Sequence, residues 1–315
     1  MRGNADPRSA PVIAIDLGGT KATVAVVAAD GRLLGRSVAP APMGDPTSAI
    51  EGFRDRARRL PAWSEAAAVG LALPAIVDDG HIAWAAASVG DWNGLDARAA
   101  LSSTFRVPAT VMFDGYAATH GEAAFGAAVG ARVAAVLIIG TGFGAGIWYE
   151  DRVLEAAVGV AGAVGWHRWP ISGDGAATGP MGLSCPAESI ASGPGILART
   201  RELDATSDWP DTRSVFSAAR RGDPHARAAV AEAALVAGSV AGTVINIVGP
   251  EVVVWSGGVG SRADFATLAT RTATASCQPF AIRRTRFVRS RLGAESSLMG
   301  AAAGALAVAG WRLRS

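Results

Sequence analysis

In the stretch TVMFDGYAATHGEAAFG (110–126), an apolar run, Val111-Met112-Phe113, ends in a single acid, Asp114. A small-residue helical pattern follows at once. A carboxylate at that place reads, taken alone, as the cap of the helix behind it. A second acid opens Asp16-Leu17-Gly18-Gly19-Thr20-Lys21, again after an apolar run. Glycines there bring backbone N–H groups close to an anion, and Thr20 adds a hydroxyl donor. Asp16 is a carboxylate able to hold Mg²⁺, directly or through water. The segment has neither GxxxxGK[ST] nor GxGxxG, and taken alone it reads equally well as a plain hairpin turn. Gly140-Thr141-Gly142-Phe143-Gly144-Ala145-Gly146 is a second glycine turn. Such a density of glycine predicts backbone held at unusual angles or packed closely. Ser256-Gly257-Gly258-Val259-Gly260 is a third, placed after an apolar strand pattern, where a nucleoside can approach the backbone.

Each of these groups needs a strand to carry it. Val- and Ile-rich runs bounded by Gly, Pro or Asp predict strands at Val12–Ile15, Lys21–Val27, Ala68–Leu73, Thr110–Phe113, Ala134–Ile139, Ala145–Tyr149 and Glu251–Trp255. Helical patterns occupy Pro46–Leu60, Leu95–Phe105, Tyr116–Ala127, Pro186–Thr200, Pro224–Val248 and Ser297–Gly310. The stretch 201–223 reads as a loop or short helices. This alternation predicts an α/β architecture. "VIAIDLGGTKATVAVV" (12–27) and "VAAVLIIGTGFGAGIWY" (133–149) share one plan of strand, Gly/Thr turn and strand. The repeat predicts two related lobes facing each other across a cleft, each offering a glycine turn to a polyphosphate. The division falls within 115–130: an N-terminal lobe, 1–118, joined by the C-terminal helix 297–315, and a C-terminal lobe, 119–296.

The totals narrow the setting. The chain has 315 residues, half of them hydrophobic and 18% charged, which is globular rather than disordered composition. A net charge of +2 gives no reason to expect nucleic acid, and the cluster Arg283-Arg284-Thr285-Arg286 reads as a solvated face. Lys21 is the single lysine among the basic residues. Two cysteines, Cys185 and Cys277, build no disulfide framework and suit a reducing, cytoplasmic setting. The first ten residues lack the apolar stretch of a signal peptide, and no uncharged apolar run reaches the ~18 residues of a membrane helix.

Together the motifs "DLGGTK" (16–21), "FDGYAATHGEAAFGA" (113–127), "GTGFGAGI" (140–147), "AGAVG" (161–165), "AESIASG" (187–193) and "WSGGV" (255–259) resemble the ROK family of sugar kinases and related repressors, in order and spacing, over about residues 11–310. The resemblance implies two RNase H-like (actin-like ATPase) lobes, ATP with Mg²⁺, and phosphorylation of a sugar hydroxyl, usually a primary one. It implies Asp114 as catalytic base. It also implies Gly18, Gly19, Thr20, Lys21, Gly140, Thr141, Gly142, Gly257 and Gly258 around ATP, with Asp16 toward Mg²⁺. Glu188, Phe113, Trp166, His167 and Asn93 fall on the acceptor side. A homo-oligomer, such as a dimer, is expected from the family.

Several positions depart from the family pattern. Phe113 and Tyr116 stand where the family has Asn, and Ala163 and Trp166 stand where it has its sugar-binding Glu and His. His167, one residue later, replaces that histidine only if the loop shifts. Ala86-Ala87-Ser88 replaces Pro-Asn-Leu. Thr178–Pro186 carries Cys185 alone in place of the CxCGxxGC cluster, so no structural zinc is expected. The expected function is an ATP-dependent kinase acting on a sugar or sugar-like polyol other than plain glucose, such as an amino sugar or a C7 cyclitol. The alternatives are a catalytically silent sugar/ATP-binding relative and a family repressor without its DNA-binding domain. The ten or so residues before Val12 are too few for a DNA-binding module.

Overall fold

The computed structural model describes residues 10–155, 159–169 and 186–311. Cys185 and all but the last residue of the Thr178–Pro186 stretch lie outside the described residues. In chain order the elements are β1 (Val12–Leu17), β2 (Lys21–Val27), β3 (Leu33–Pro40), α1 (Pro46–Ala57), β4 (Val69–Leu73), β5 (Ala75–Asp78), β6 (His81–Ala85), α2 (Ala97–Phe105), β7 (Ala109–Phe113) and α3 (Asp114–Phe125). There follow β8 (Val133–Ile139), β9 (Phe143–Tyr149), β10 (Arg152–Val153), α4 (Pro186–Ala191), α5 (Gly193–Leu203), α6 (Thr212–Arg221) and α7 (Pro224–Val248). The chain closes with β11 (Val252–Ser256), α8 (Gly257–Gly260), α9 (Ala263–Ser276), α10 (Pro279–Ile282), β12 (Arg286–Arg289) and α11 (Ser296–Val308).

Four helices start on the same local signal. The carboxylates of Asp45, Asp96, Asp211 and Asp223 accept from the N–H groups of Ser48, Ala99, Ser214 and Ala226 at 2.9, 2.8, 2.7 and 2.8 Å. Each satisfies one of the N–H groups that a helix start leaves unpaired. In α1 and α7 a proline follows the cap at the first helical position, where no N–H is missed.

The chain divides into two compact units. One comprises 1–130, 151–161 and 295–315; the other comprises 131–150 and 162–294. The first carries a sheet in the order β3-β2-β1-β4-β7. There β1 and β2 form an antiparallel hairpin, and β1, β4 and β7 run parallel. Its core centres on Ile13, Ile15, Leu17, Phe53, Leu71, Leu73, Trp92 and Leu101. The strands of the second unit run β9-β8-β11-β12, again an antiparallel hairpin (β8/β9) followed by parallel strands. Its core centres on Leu137, Ile139, Trp209, Phe216, Trp255 and Phe265.

A division at 118/119 would cut through α3. The chain instead leaves the first unit after Gly130, because α3 and α11 pack backbone to backbone. A Cβ at Gly121 would lie 2.4 Å from the Ser296 carbonyl oxygen, and one at Gly300 only 1.6 Å from that of Ala117. Helix α7 is long and apolar enough to cross a membrane by length and composition, but 67% of its most apolar window is buried in the protein. It is a core helix of the second unit. The helix predicted over Pro186–Thr200 is broken at Ser192, whose hydroxyl accepts from Gly195 N–H at 3.2 Å and starts α5 afresh.

Candidate active site

In the first unit the parallel strands β1, β4 and β7 end together, at Leu17, Leu73 and Phe113. Asp16 lies one residue before the end of β1, and Asp114 is the first residue of α3. Both side chains are partly buried. Burial pushes each carboxyl up to about 6. The charge of Asp114 adds to the rise at Asp16 and Lys21 opposes it, so the two acids and the amine share one field. The Gly115 N–H partly offsets the burial of Asp114. Phe113 takes the N-cap position of α3 and makes no side-chain cap, so Asp114 is one step inside the helix rather than its cap.

The Gly18–Lys21 turn is the β1–β2 hairpin connection, closed by Gly18 N–H donating to Lys21 O at 3.0 Å. Its glycines have no positive φ. What they supply is space: a Cβ at Gly19 would sit 2.7 Å from Ser88 Cβ. The exposed Ser88, in the segment that replaces Pro-Asn-Leu, therefore lies directly on this turn. Lys21 is exposed and, among the described residues, has no ion-pair partner. Asn93 is exposed, and its amide is engaged within its loop. Its Oδ1 accepts from Ala85 N–H at 3.0 Å and its Nδ2 donates to Asp91 at 2.9 Å. Buried Trp92 anchors the same loop by donating to Val89 O at 3.0 Å.

Phe113 and Tyr116 meet edge to face, with ring centroids 5.3 Å apart. The Tyr116 hydroxyl lies 3.1 Å from Ala161 O and 3.2 Å from Glu155 O and donates its proton between them. The Phe113 ring has no hydrogen-bonding group, and the one hydroxyl proton of Tyr116 is already engaged.

In the second unit, Gly140–Gly142 connects β8 to β9, closed by Gly140 N–H to Gly142 O at 2.9 Å. Of the two readings of this glycine density, close packing holds, since Gly140 and Gly142 lack positive φ. A Cβ at Gly142 would meet the Glu188 carboxylate at 2.8 Å. Glu188 accepts from Phe143 N–H at 2.9 Å, so its carboxylate braces this turn. The α5 start adds Gly193 N–H to Gly140 O at 2.7 Å. Because β8 and β11 are parallel neighbours, Gly257-Gly258 lies beside this turn; a Cβ at Gly140 would be 3.7 Å from Gly258 N. Gly257 does require glycine, with φ +81° and a would-be Cβ 2.3 Å from Ile139 O. Trp166 is exposed at the end of the Val164–Trp166 turn and exposed His167 follows it; His167 O accepts from Ala187 N–H at 3.2 Å at the start of α4.

Among the described residues no cluster of three or more His, Cys, Asp or Glu could enclose a metal by itself. Asp16 suits an ion that takes most of its oxygens from phosphates and water, the usual manner of Mg²⁺.

Solved structures share this architecture. A ROK hexokinase from Thermus thermophilus superposes with a TM-score of 0.80 at 28% identity, over 95% of this chain and 98% of that one. A ROK family glucokinase from Streptomyces griseus, in complex with glucose and AMPPNP, gives 0.73 at 26% identity, over 94% and 99%. The α/β fold is thus the actin-like ATPase type of these kinases. In sequence, the bifunctional enzyme NanE/NanK of Brucella melitensis is 31% identical over 93% of this chain and 54% of its own length. The chain spans about half the length of this relative and of its Brucella suis counterpart. A family model described as ROK family matches residues 12–308, and the chain belongs to that family.

Proposed function

We propose that the protein is an ATP-dependent kinase that transfers the γ-phosphate to a primary hydroxyl of a sugar or sugar-like polyol. The observation that carries this reading is the pairing of Asp16 and Asp114 at the ends of β1 and β7, beside an exposed glycine turn and a lysine ammonium with no ion-pair partner among the described residues. Asp114 accepts the acceptor's hydroxyl proton as that oxygen bonds to the γ-phosphorus and ADP departs. Asp16 would hold Mg²⁺, which supplies countercharge to the phosphates when bound. Phosphoryl transfer asks mainly for alignment and charge neutralisation. In the second unit, Gly140–Gly142 and Gly257-Gly258 present closely packed backbone suited to a nucleotide. A reducing, cytoplasmic setting supplies that nucleotide, and a homodimer is the expected assembly.

The acceptor is a polyol other than plain glucose; an amino sugar or C7 cyclitol is the leading class. Ala163 cannot hydrogen-bond a ring hydroxyl, and Phe113 and Tyr116 present rings. A buried hydroxyl left unpaired costs roughly 1–3 kcal/mol. The test is ADP release with Mg²⁺ over hexoses, amino sugars and C7 cyclitols, with mass spectrometry of the product. Turnover should appear on at least one acceptor and fall about 10²–10⁴-fold in Asp114→Asn, the usual size of general-base catalysis. A fully active Asp114→Asn protein would remove the assignment of the base. ATP binding with no turnover on any acceptor would favour a silent binder.

A further inference from the structure

A cavity of about 180 Å³ opens in the first unit along β7 and the start of α3. Its walls include Met112, Phe113, Tyr116, Asp79, Arg98 and Glu155. Asp114, between two of these residues in sequence, does not line it. The volume is below the roughly 300–1,000 Å³ of pockets for drug-sized ligands, so it suits one ring or a short chain.

The charges in the cavity are unevenly matched. Arg98 Nη1 donates to Asp79 Oδ1 at 2.8 Å, which leaves that guanidinium paired. Glu155 has no hydrogen-bond or ion-pair partner for its carboxylate among the described residues; only its backbone carbonyl is engaged, by Tyr116. The walls thus hold one cation against two carboxylates. Burial raises the Glu155 carboxyl, as expected of an acid partly withdrawn from water without a counter-charge. The two aromatic rings lie against the same space, and an aromatic face attracts a cation through its quadrupole. A free carboxylate beside two rings is the recognition chemistry of an organic ammonium. An anion would meet two acids, and a neutral polyol would find few donors.

We propose that this cavity binds a small organic ammonium, held by the Glu155 carboxylate and by the rings of Phe113 and Tyr116. The ammonium comes either from an amine on the acceptor, which rests on the kinase reading, or from a separate amine that contacts the residues flanking Asp114. Binding itself needs no kinase activity and is measured without it.

Calorimetry with cyclohexylamine and cyclohexanol as probes separates charge from ring shape. The protein should bind cyclohexylamine at least about tenfold more tightly, a modest figure for one ion pair plus cation–π contact. The Glu155 carboxylate is only partly withdrawn from water and has no partner among the described residues, so Glu155→Gln should fold normally and lose that preference. Phe113→Leu should weaken the amine by several-fold and leave the alcohol unchanged. Equal binding of the two probes, or an undiminished preference in Glu155→Gln, overturns the proposal. The source is read with glucosamine in the ADP-release assay. If the acceptor supplies the amine, cyclohexylamine competes with glucosamine, and Glu155→Gln raises its KM with kcat unchanged. If a separate amine is the ligand, cyclohexylamine binds without competing. Absence of turnover leaves the calorimetric result standing and counts only against the kinase reading.

Discussion

The Ser297 hydroxyl donates to the backbone carbonyl of Asp114 across 3.1 Å. The two residues lie 183 positions apart in sequence, so the proposed base is seated by the last helix of the described chain. The neighbouring turn of α3 adds Thr119 Oγ1 to Gly115 O at 2.9 Å. The start of α3 is therefore fixed from outside and from within.

Gly300→Ala should be the more damaging of two changes in α11. Its Cβ would meet the Ala117 carbonyl oxygen at 1.6 Å, a backbone atom that no side-chain rotation can move aside. The helices must separate, at about 1–3 kcal/mol or more. Ser297→Ala removes one hydrogen bond, worth about 0.5–1.5 kcal/mol. Thermal unfolding should rank Gly300→Ala well below Ser297→Ala, and kcat should follow the same order as Asp114 loses its seat.

The rise of Asp114 to about 6 sets the acid side of the activity profile. Turnover needs the ionised carboxylate, so kcat/KM should fall as pH drops below about 6, and an ordinary aspartate would hold activity to near 4. Stability runs the opposite way. A carboxyl raised on folding binds its proton more tightly in the native state, so it disfavours folding above about 6, and the effect fades toward 4. Asp114→Asn should therefore raise Tm at pH 7.5 and give a smaller gain at pH 5. A gain that grows on acidification would refute this assignment.

Glu188 should separate bracing from binding. Glu188→Ala leaves Phe143 N–H without its acceptor, a cost of roughly 1–3 kcal/mol, and should raise the KM for ATP by loosening the Gly140 turn. Glu188→Gln keeps an oxygen at that place and should hold the KM for ATP within a few-fold of the native value. If Glu188 serves only the acceptor, both variants will raise the acceptor KM and leave ATP alone.

Gly257→Ala tests the nucleotide side. With φ +81° and a carbonyl oxygen 2.3 Å from the new Cβ, alanine is strained by both conformation and contact. Tight-binding titration with an ATP analogue should show a weakened complex, while Gly258→Ala, with open space at its Cβ, should be mild in stability.

Much of this arrangement was readable before any coordinates. The strands that carry Asp16, Asp114, Gly140 and Gly257 announce themselves by β-branched residues and glycine stops, and each lies within a residue or two of its expected place. Strand β3 was missed because Leu33–Pro40 is half-exposed and includes Gly35, Arg36 and Ser37. Helix α9 was missed because four threonines dilute its apolar face. The hairpin β5/β6 was hidden by its short strands. At the site, sequence could place a carboxylate but could not say what already held each side chain. The engagement of Asn93 with Ala85 and Asp91, of Glu188 with Phe143, and of Tyr116 with Ala161 depends on loops whose course no local pattern encodes. The contacts Ser88–Gly19 and Ser297–Asp114 join distant segments, and no local pattern says that these residues meet.

The packing of α11 also bears on how the chain is made. Gly70 on β4 has room for no Cβ, because the Ala301 carbonyl would lie 2.0 Å away. The first sheet thus waits, with β1 and β4 uncovered, for a helix synthesised after the whole of the second unit. On the ribosome the later-encoded unit can close first, and the earlier one completes only when residues near 300 emerge. The half that carries the proposed base is translated first and finished last.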